Sequence, residues 1–169
     1  TNQVFEVLST AGDTFLGGDD VDERVVEHMV DIFLQQTRLD LRYDAGAMAR
    51  LRAIGEQVKC QLSSRPKSTV QVQAVGYGPG GQALDLHFTL TVEQLNAMAR
   101  AVIECSFGIC ETALNLANMT ATQLDDIVLV GGMTRMPFIR DRVRAYFGLD
   151  PRSDINPDEV VAVGAAIQA

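Results

Sequence analysis

The chain has 169 residues, 47% of them hydrophobic, which suffices for one ordinary domain or two small lobes with a buried core. A formal net charge of -8 sets the surface as a whole against phosphate backbones and anionic lipid, which argues against a general nucleic-acid or membrane-surface role. No apolar run approaches the roughly 20 residues of a membrane-spanning helix, and the cysteines Cys60, Cys105 and Cys110 show no metal-ligand spacing with His28 or His87, so the composition reads as a reducing, cytoplasmic chain without a metal site.

In chain order, the polar start Thr1-Asn2-Gln3 has none of the features of a signal peptide. Val4 to Leu8 is rich in strand formers and runs into a Gly-rich loop with turn signals at Gly12-Asp13 and Gly17-Gly18. Asp19 and Asp20 supply helix-start chemistry for a helix over 21–36, with Val21, Val25, Met29, Ile32 and Phe33 on its apolar stripe and Asp22, Glu23, Glu27 and Asp31 on the wet side. A second amphipathic helix is expected over 45–62, carried by Met48, Leu51, Ile54, Val58 and Leu62.

Thr69 to Gln73 and Leu84 to Phe88 each alternate with period two around the Gly78-Pro79-Gly80-Gly81 turn, which predicts a hairpin or neighbouring strands. Thr91 and Gln94 form a capping-box pattern that opens a long helix to about Asn118. Ile127-Val128-Leu129-Val130 is continuously apolar, as expected of a strand buried on both faces in a parallel or mixed sheet. A helix over 136–147 follows, with Pro137 in its first turn and Gly148 at its end, and Asn156-Pro157-Asp158-Glu159 has the order of a helix start. The closing stretch 161–169 stops inside an apolar helical pattern, so the chain reads as a piece of something longer.

Three places carry chemistry. In Leu129-Val130-Gly131-Gly132-Met133-Thr134-Arg135-Met136-Pro137, two glycines after a strand let backbone N–H groups approach an anion and a following helix points its positive end there; a tight connection with no ligand explains the same residues. Glu56, Lys59 and Ser63 stand at i, i+3 and i+7 on one helix face, where an acid, a base and a hydroxyl can grip a ribose and a purine edge. A surface ion pair with a helix-end serine is the plainer account of that face. Gly17-Gly18-Asp19-Asp20 and Asp158 are read first as helix-start chemistry and second as ligand contacts.

Taken together, Ala11 to Asp22, Glu56 to Ser64, Ile127 to Pro137 and Ile155 to Ala166 closely resemble, in order, the second lobe of the DnaK-type, seventy-kilodalton heat-shock chaperone family. The resemblance covers essentially the whole chain. It implies an α/β fold, the actin-like (ribonuclease H-like) ATPase lobe with a mixed sheet and helices, plus a small α+β cap subdomain. Residues 1–16 with 97–169 would form the sheet-and-helix subdomain and 17–96 the cap.

By the same resemblance Glu56, Lys59 and Ser63 match the cap residues that contact adenosine, and Cys60 the position that packs on the adenine face. Gly131, Gly132, Met133 and Arg135 match the loop under adenine, ribose and phosphate, Gly18 a backbone contact, and Asp158 an adenosine-side contact. The implied ligand is ATP or ADP, with magnesium in the complete domain. The implied partners are the other lobe, a substrate-binding domain, a J-domain co-chaperone, unfolded polypeptide, and a nucleotide exchange factor at the cap.

Departures from the family pattern are Phe15 where many members carry His, Asp19 and Val21 in place of a larger acid and an aromatic, and Cys60 in place of Arg. Losing the flat guanidinium implies weaker or altered nucleotide affinity. The family's first-lobe phosphate loop, catalytic Lys and magnesium-organising acids match nothing in this chain, so no catalytic residue is assigned and the chain alone is expected not to hydrolyse ATP. Two other readings stand beside this one: a degenerate chaperone relative used as a protein-interaction scaffold, and another member of the actin and sugar-kinase superfamily.

Overall fold

The computed structural model describes residues 6–154, 156 and 159–168, the last by its backbone alone. The chain divides into two units, Gly18–Arg100 in one, and the residues up to Gly17 with those from Ala101 onward in the other.

In the first unit α1 (Gly18–Thr37) carries Asp19 and Asp20 in its first turn, where carboxylates oppose the positive end of the helix dipole. Its buried stripe is Val21, Val25, Val26, Met29, Val30 and Phe33. A 3-10 turn at Leu41–Tyr43 leads to Asp44, whose side chain accepts from Ala47 N at 2.9 Å and caps α2 (Ala45–Leu62). Leu51, Val58 and Leu62 of the expected α2 stripe are buried, together with Ala47 and Gly55, while Met48 and Ile54 are only half-buried.

β1 (Lys67–Tyr77) pairs antiparallel with β2 (Ala83–Thr91), from Lys67 opposite Thr91 to Tyr77 opposite Ala83. The predicted hairpin is present and longer at both ends than the alternating runs. Leu86, Phe88 and Leu90 face the core while Asp85, His87 and Thr89 face water, the period-two pattern of a half-buried strand. The register shifts between Val72 and Gly76, where Ala74 takes a positive φ of 46°. Arg50 of α2 donates to Gln73 O at 2.7 Å and Ala74 O at 2.9 Å, and Asp85 accepts from Ala74 N at 2.8 Å, so the bulge is clamped from both sides.

Thr91 and Gln94 form the expected reciprocal cap, with Thr91 N donating to Gln94 Oε1 at 3.0 Å and Gln94 N to Thr91 Oγ1 at 3.3 Å. α3 (Val92–Leu116) starts there and passes from the first unit into the second.

In the second unit α3 buries Val102, Ile103 and Phe107. The ring of Phe107 stacks on Tyr146 of α4 (Pro137–Phe147) at 4.3 Å between centroids. Pro137 stands in the first turn of α4 and Gly148 ends it at φ 70°, donating its N–H to Arg144 O at 2.9 Å, as expected. α5 (Val160–Gln168) follows; Ile155, Pro157 and Asp158 of the expected helix start lie outside the described residues, and Asn156 O accepts from Val160 N at 3.0 Å.

The expected strands of this unit are corrected. Val4 and Phe5 lie outside the described residues, Glu6 to Leu8 form no strand, and neither does Ile127–Val130. The mixed sheet is therefore absent among the described residues, whose one sheet is the two-stranded hairpin. A strand holds its shape through a ladder on its flanks, and among the described residues this apolar run is laddered to no other strand, Ile127 O accepting a single backbone bond from Arg152 N at 2.9 Å; Val128 is 42% and Val130 48% exposed. Among the described residues no helix is long and apolar enough to cross a membrane.

Candidate functional site

The site residues of the first unit come together where α1 and α2 cross. Gly55 makes the crossing close, since a Cβ placed there would lie 3.3 Å from Val26 Cγ2 and 3.5 Å from Asp22 O. One helical turn after Gly55 comes Lys59, which therefore faces the first turn of α1. Its Nζ donates to Asp22 Oδ2 at 2.6 Å and to Gly18 O at 3.3 Å.

The Asp22–Lys59 pair is largely out of water, with side-chain exposures of 14% and 12%. That corrects the expectation of Asp22 on the wet face of its helix: the close crossing covers it. Burial pushes the Asp22 carboxyl above its ordinary range, while the hydrogen bond and charge of Lys59 pull it back. Asp22 Oδ1 is buried without a hydrogen-bond partner among the described residues.

The anticipated i,i+3 pairing of Glu56 with Lys59 does not form, because the ammonium turns to Asp22 instead. Glu56 is exposed and lines an open cavity of about 290 Å³ with Asp19, Asp22, Glu23, Arg52 and Ala53. Arg52 is held there by Glu23 at 3.0 Å. Ser63 ends α2 and its hydroxyl donates to Lys59 O at 3.3 Å, leaving its lone pairs free to accept. Cys60 presents an exposed free thiol, and Cys105 and Cys110 are also free.

The other set of site residues belongs to the second unit. Gly131 has φ 90° and ψ 161°, a combination essentially confined to glycine. Its carbonyl accepts from Thr134 N at 3.1 Å and Thr134 Oγ1 at 2.6 Å. This folds Gly132–Arg135, with Met133 half-buried, into a 3-10 turn. The turn stands between Gly131 and α4, which begins at Pro137 with Met136 as its N-cap, in line with the helix expected over 136–147. A Cβ at either Gly131 or Gly132 would meet nothing within 4 Å, so both backbones stand open to approach within their unit. Asp158 lies outside the described residues.

The structure thus joins Gly18 and Lys59 directly and carries Glu56, Cys60 and Ser63 on the same helix as Lys59. Sequence reasoning missed Asp22 and Gly55. The available signal was a glycine in mid-helix, which costs about 1 kcal/mol against Ala and calls for a packing reason.

A family model described as Hsp70 protein matches residues 1–169. The proteins named Chaperone protein DnaK from Thermotoga petrophila and Thermotoga maritima are each 41% identical over 166 residues, covering 98% of this chain and 28% of the relative. The chain therefore spans little more than a quarter of the length of the curated relatives it matches. With a family match across all its residues, the chain belongs to the Hsp70 family.

Proposed function

We propose that this chain is the adenosine-side lobe of an actin-like chaperone ATPase domain, binding ATP or ADP and, within the whole protein, coupling nucleotide state to the holding and release of unfolded polypeptide. The observation that carries the reading is Lys59, fixed over the first turn of α1 by Asp22 and Gly18 O. An ammonium has three N–H donors, and these two acceptors take two of them. The third can meet a ribose hydroxyl.

In this reading Ser63 accepts from the nucleoside with its unused lone pairs, and the exposed Glu56 accepts from its amino or hydroxyl groups. Cys60 packs a small sulfur against the adenine face. Gly18 contributes backbone, its carbonyl being spent on Lys59. Gly131, Gly132, Met133 and Arg135 serve as the loop under adenine, ribose and phosphate. The open space at both glycines supports this, since a ligand can lie against bare backbone there. Asp158 is assigned an adenosine-side contact by resemblance alone.

We further assign residues 17–96 to the cap and 1–16 with 97–169 to the sheet-and-helix subdomain, supported by the division of the chain at Gly18 and Arg100. Magnesium, the other lobe, a substrate-binding domain, a J-domain co-chaperone and an exchange factor at the cap complete the proposed cytoplasmic machine. The test is calorimetry with ATP and ADP on the two-lobed domain that contains this chain. Saturable binding is expected, and no heat of binding with either nucleotide would end the proposal.

A further inference from the structure

We propose that Asp22 is a positioning residue for nucleotide binding, aiming Lys59 through their buried contact; the inference rests on the nucleotide reading above. A lysine on a free helix face samples many rotamers, and a ligand that uses it must first order it. Here the carboxylate at 2.6 Å and the Gly18 carbonyl at 3.3 Å fix two of the three N–H directions, and tetrahedral geometry then fixes the third.

The fold does not require this arrangement. Taking two charges out of water is costly, and an apolar pair of similar volume generally packs as well or better. The cost is visible in Asp22, whose second carboxylate oxygen is buried without a hydrogen-bond partner among the described residues. A device that strains its own carboxylate to hold one ammonium makes sense if the ammonium has work to do.

The pairing also sets what kind of group Lys59 serves. With its charge compensated by Asp22, it offers a directed donor with little net charge, which suits a neutral sugar hydroxyl better than a phosphate. Asp22 should therefore matter equally for ATP, ADP and adenosine, since all three present the same sugar.

The experiment is a double-mutant cycle on the two-lobed domain, reading ADP and adenosine affinity by calorimetry for wild type, Asp22→Asn, Lys59→Ala and the double variant. Asp22→Asn is expected to weaken both ligands about tenfold. The double variant is expected to bind no more weakly than Lys59→Ala alone, because Asp22 acts only through Lys59.

The Lys59 Nζ signal in a 15N-lysine spectrum, assigned by its loss in Lys59→Ala, should broaden into solvent exchange in Asp22→Asn. A structural role elsewhere would leave that signal in place. Affinity within twofold of wild type in Asp22→Asn, or losses that multiply in the double variant, would overturn the inference while leaving the nucleotide reading intact. Absence of ADP binding by wild type would sink both. Should Asp22→Asn not fold, Asp22→Glu keeps the charge but shifts the carboxylate by one methylene, and the same twofold criterion decides.

Discussion

Gly55 of α2 rides against Val26 of α1, with 3.3 Å between the Cβ that Gly55 lacks and Val26 Cγ2. Asp22 O at 3.5 Å and Met29 Cε at 3.7 Å from the same point stand at ordinary van der Waals distance. An added methyl is thus tight only against the Val26 side chain, which can yield slightly, and alanine gains about 1 kcal/mol of helix propensity over glycine. Gly55→Ala is expected to leave stability near wild type. Gly55→Leu cannot be absorbed without separating the helices and should cost about 1–3 kcal/mol in urea denaturation. It should also weaken nucleotide binding, because Lys59 reaches Asp22 only across this contact.

Removing Lys59 alone should be worse for the fold than removing both partners. Lys59→Met leaves the Asp22 carboxylate, already pushed up by burial, without the group that pulls it down. A loss of up to about 3 kcal/mol is expected near neutral pH, with part recovered in the Asp22→Asn/Lys59→Met pair. The pH dependence has a defined sign. A carboxyl whose folded pKa is raised binds protons more tightly folded than unfolded, so the variant's stability should fall as pH rises from about 3.9, the usual unfolded value, through the folded one. Denaturation midpoints between pH 3 and 8 measure this; a Lys59→Met variant that gains stability across that range would contradict it.

The same contrast shows what the sequence could reveal. Helices and the hairpin were legible because their information is local: the periodic stripe of α1, the Thr91/Gln94 box and the Pro137 and Gly148 boundaries of α4 each act within a few residues. Ile127–Val130 was misread because a strand is a relation between segments, and an apolar run carries no record of whether a neighbour stands beside it. The candidate site was half legible. Lys59 and Gly18 were found through motif resemblance, but Asp22 was placed on the wet face. Its burial depends on a helix crossing 33 residues away at Gly55, which no helical period encodes.

The bulge in β1 offers a test at acidic pH. Asp85 accepts from Ala74 N at 2.8 Å and from Gln71 Nε2 at 3.3 Å, and these hydrogen bonds, the backbone one first, hold its carboxyl below the usual range. Because the folded pKa is depressed, the stabilisation is present above the unfolded value of about 3.9 and is lost as pH falls through the folded one. Carboxyl NMR should find Asp85 titrating below that reference, with the Ala74 amide shifting in step. Ala74→Gly should relieve the positive φ of 46° and raise stability by about 0.5–1 kcal/mol. A destabilised Ala74→Gly would mean the bulge is held by its side chain, against the clamp from Arg50 and Asp85.

At the other end of the pH scale, Tyr146 donates its phenol to Glu111, a carboxylate on α3, and that bond pushes its pKa up to about 12. The bond exists only with the phenol protonated, so it contributes fully below the unfolded tyrosine value of about 10 and is lost as pH rises through the folded one. Of the chain's three tyrosines, Tyr43, Tyr77 and Tyr146, this one sits stacked on Phe107. A spectrophotometric titration should therefore contain a late phase that disappears in Tyr146→Phe. Glu111→Gln removes the negative charge that resists ionisation but keeps an acceptor, so the late phase should move down toward 10 without loss of the stack. If Glu111→Gln left that phase unmoved, the shift would have to come from burial against Phe107, and the pairing of α3 with α4 through Tyr146 would be apolar alone.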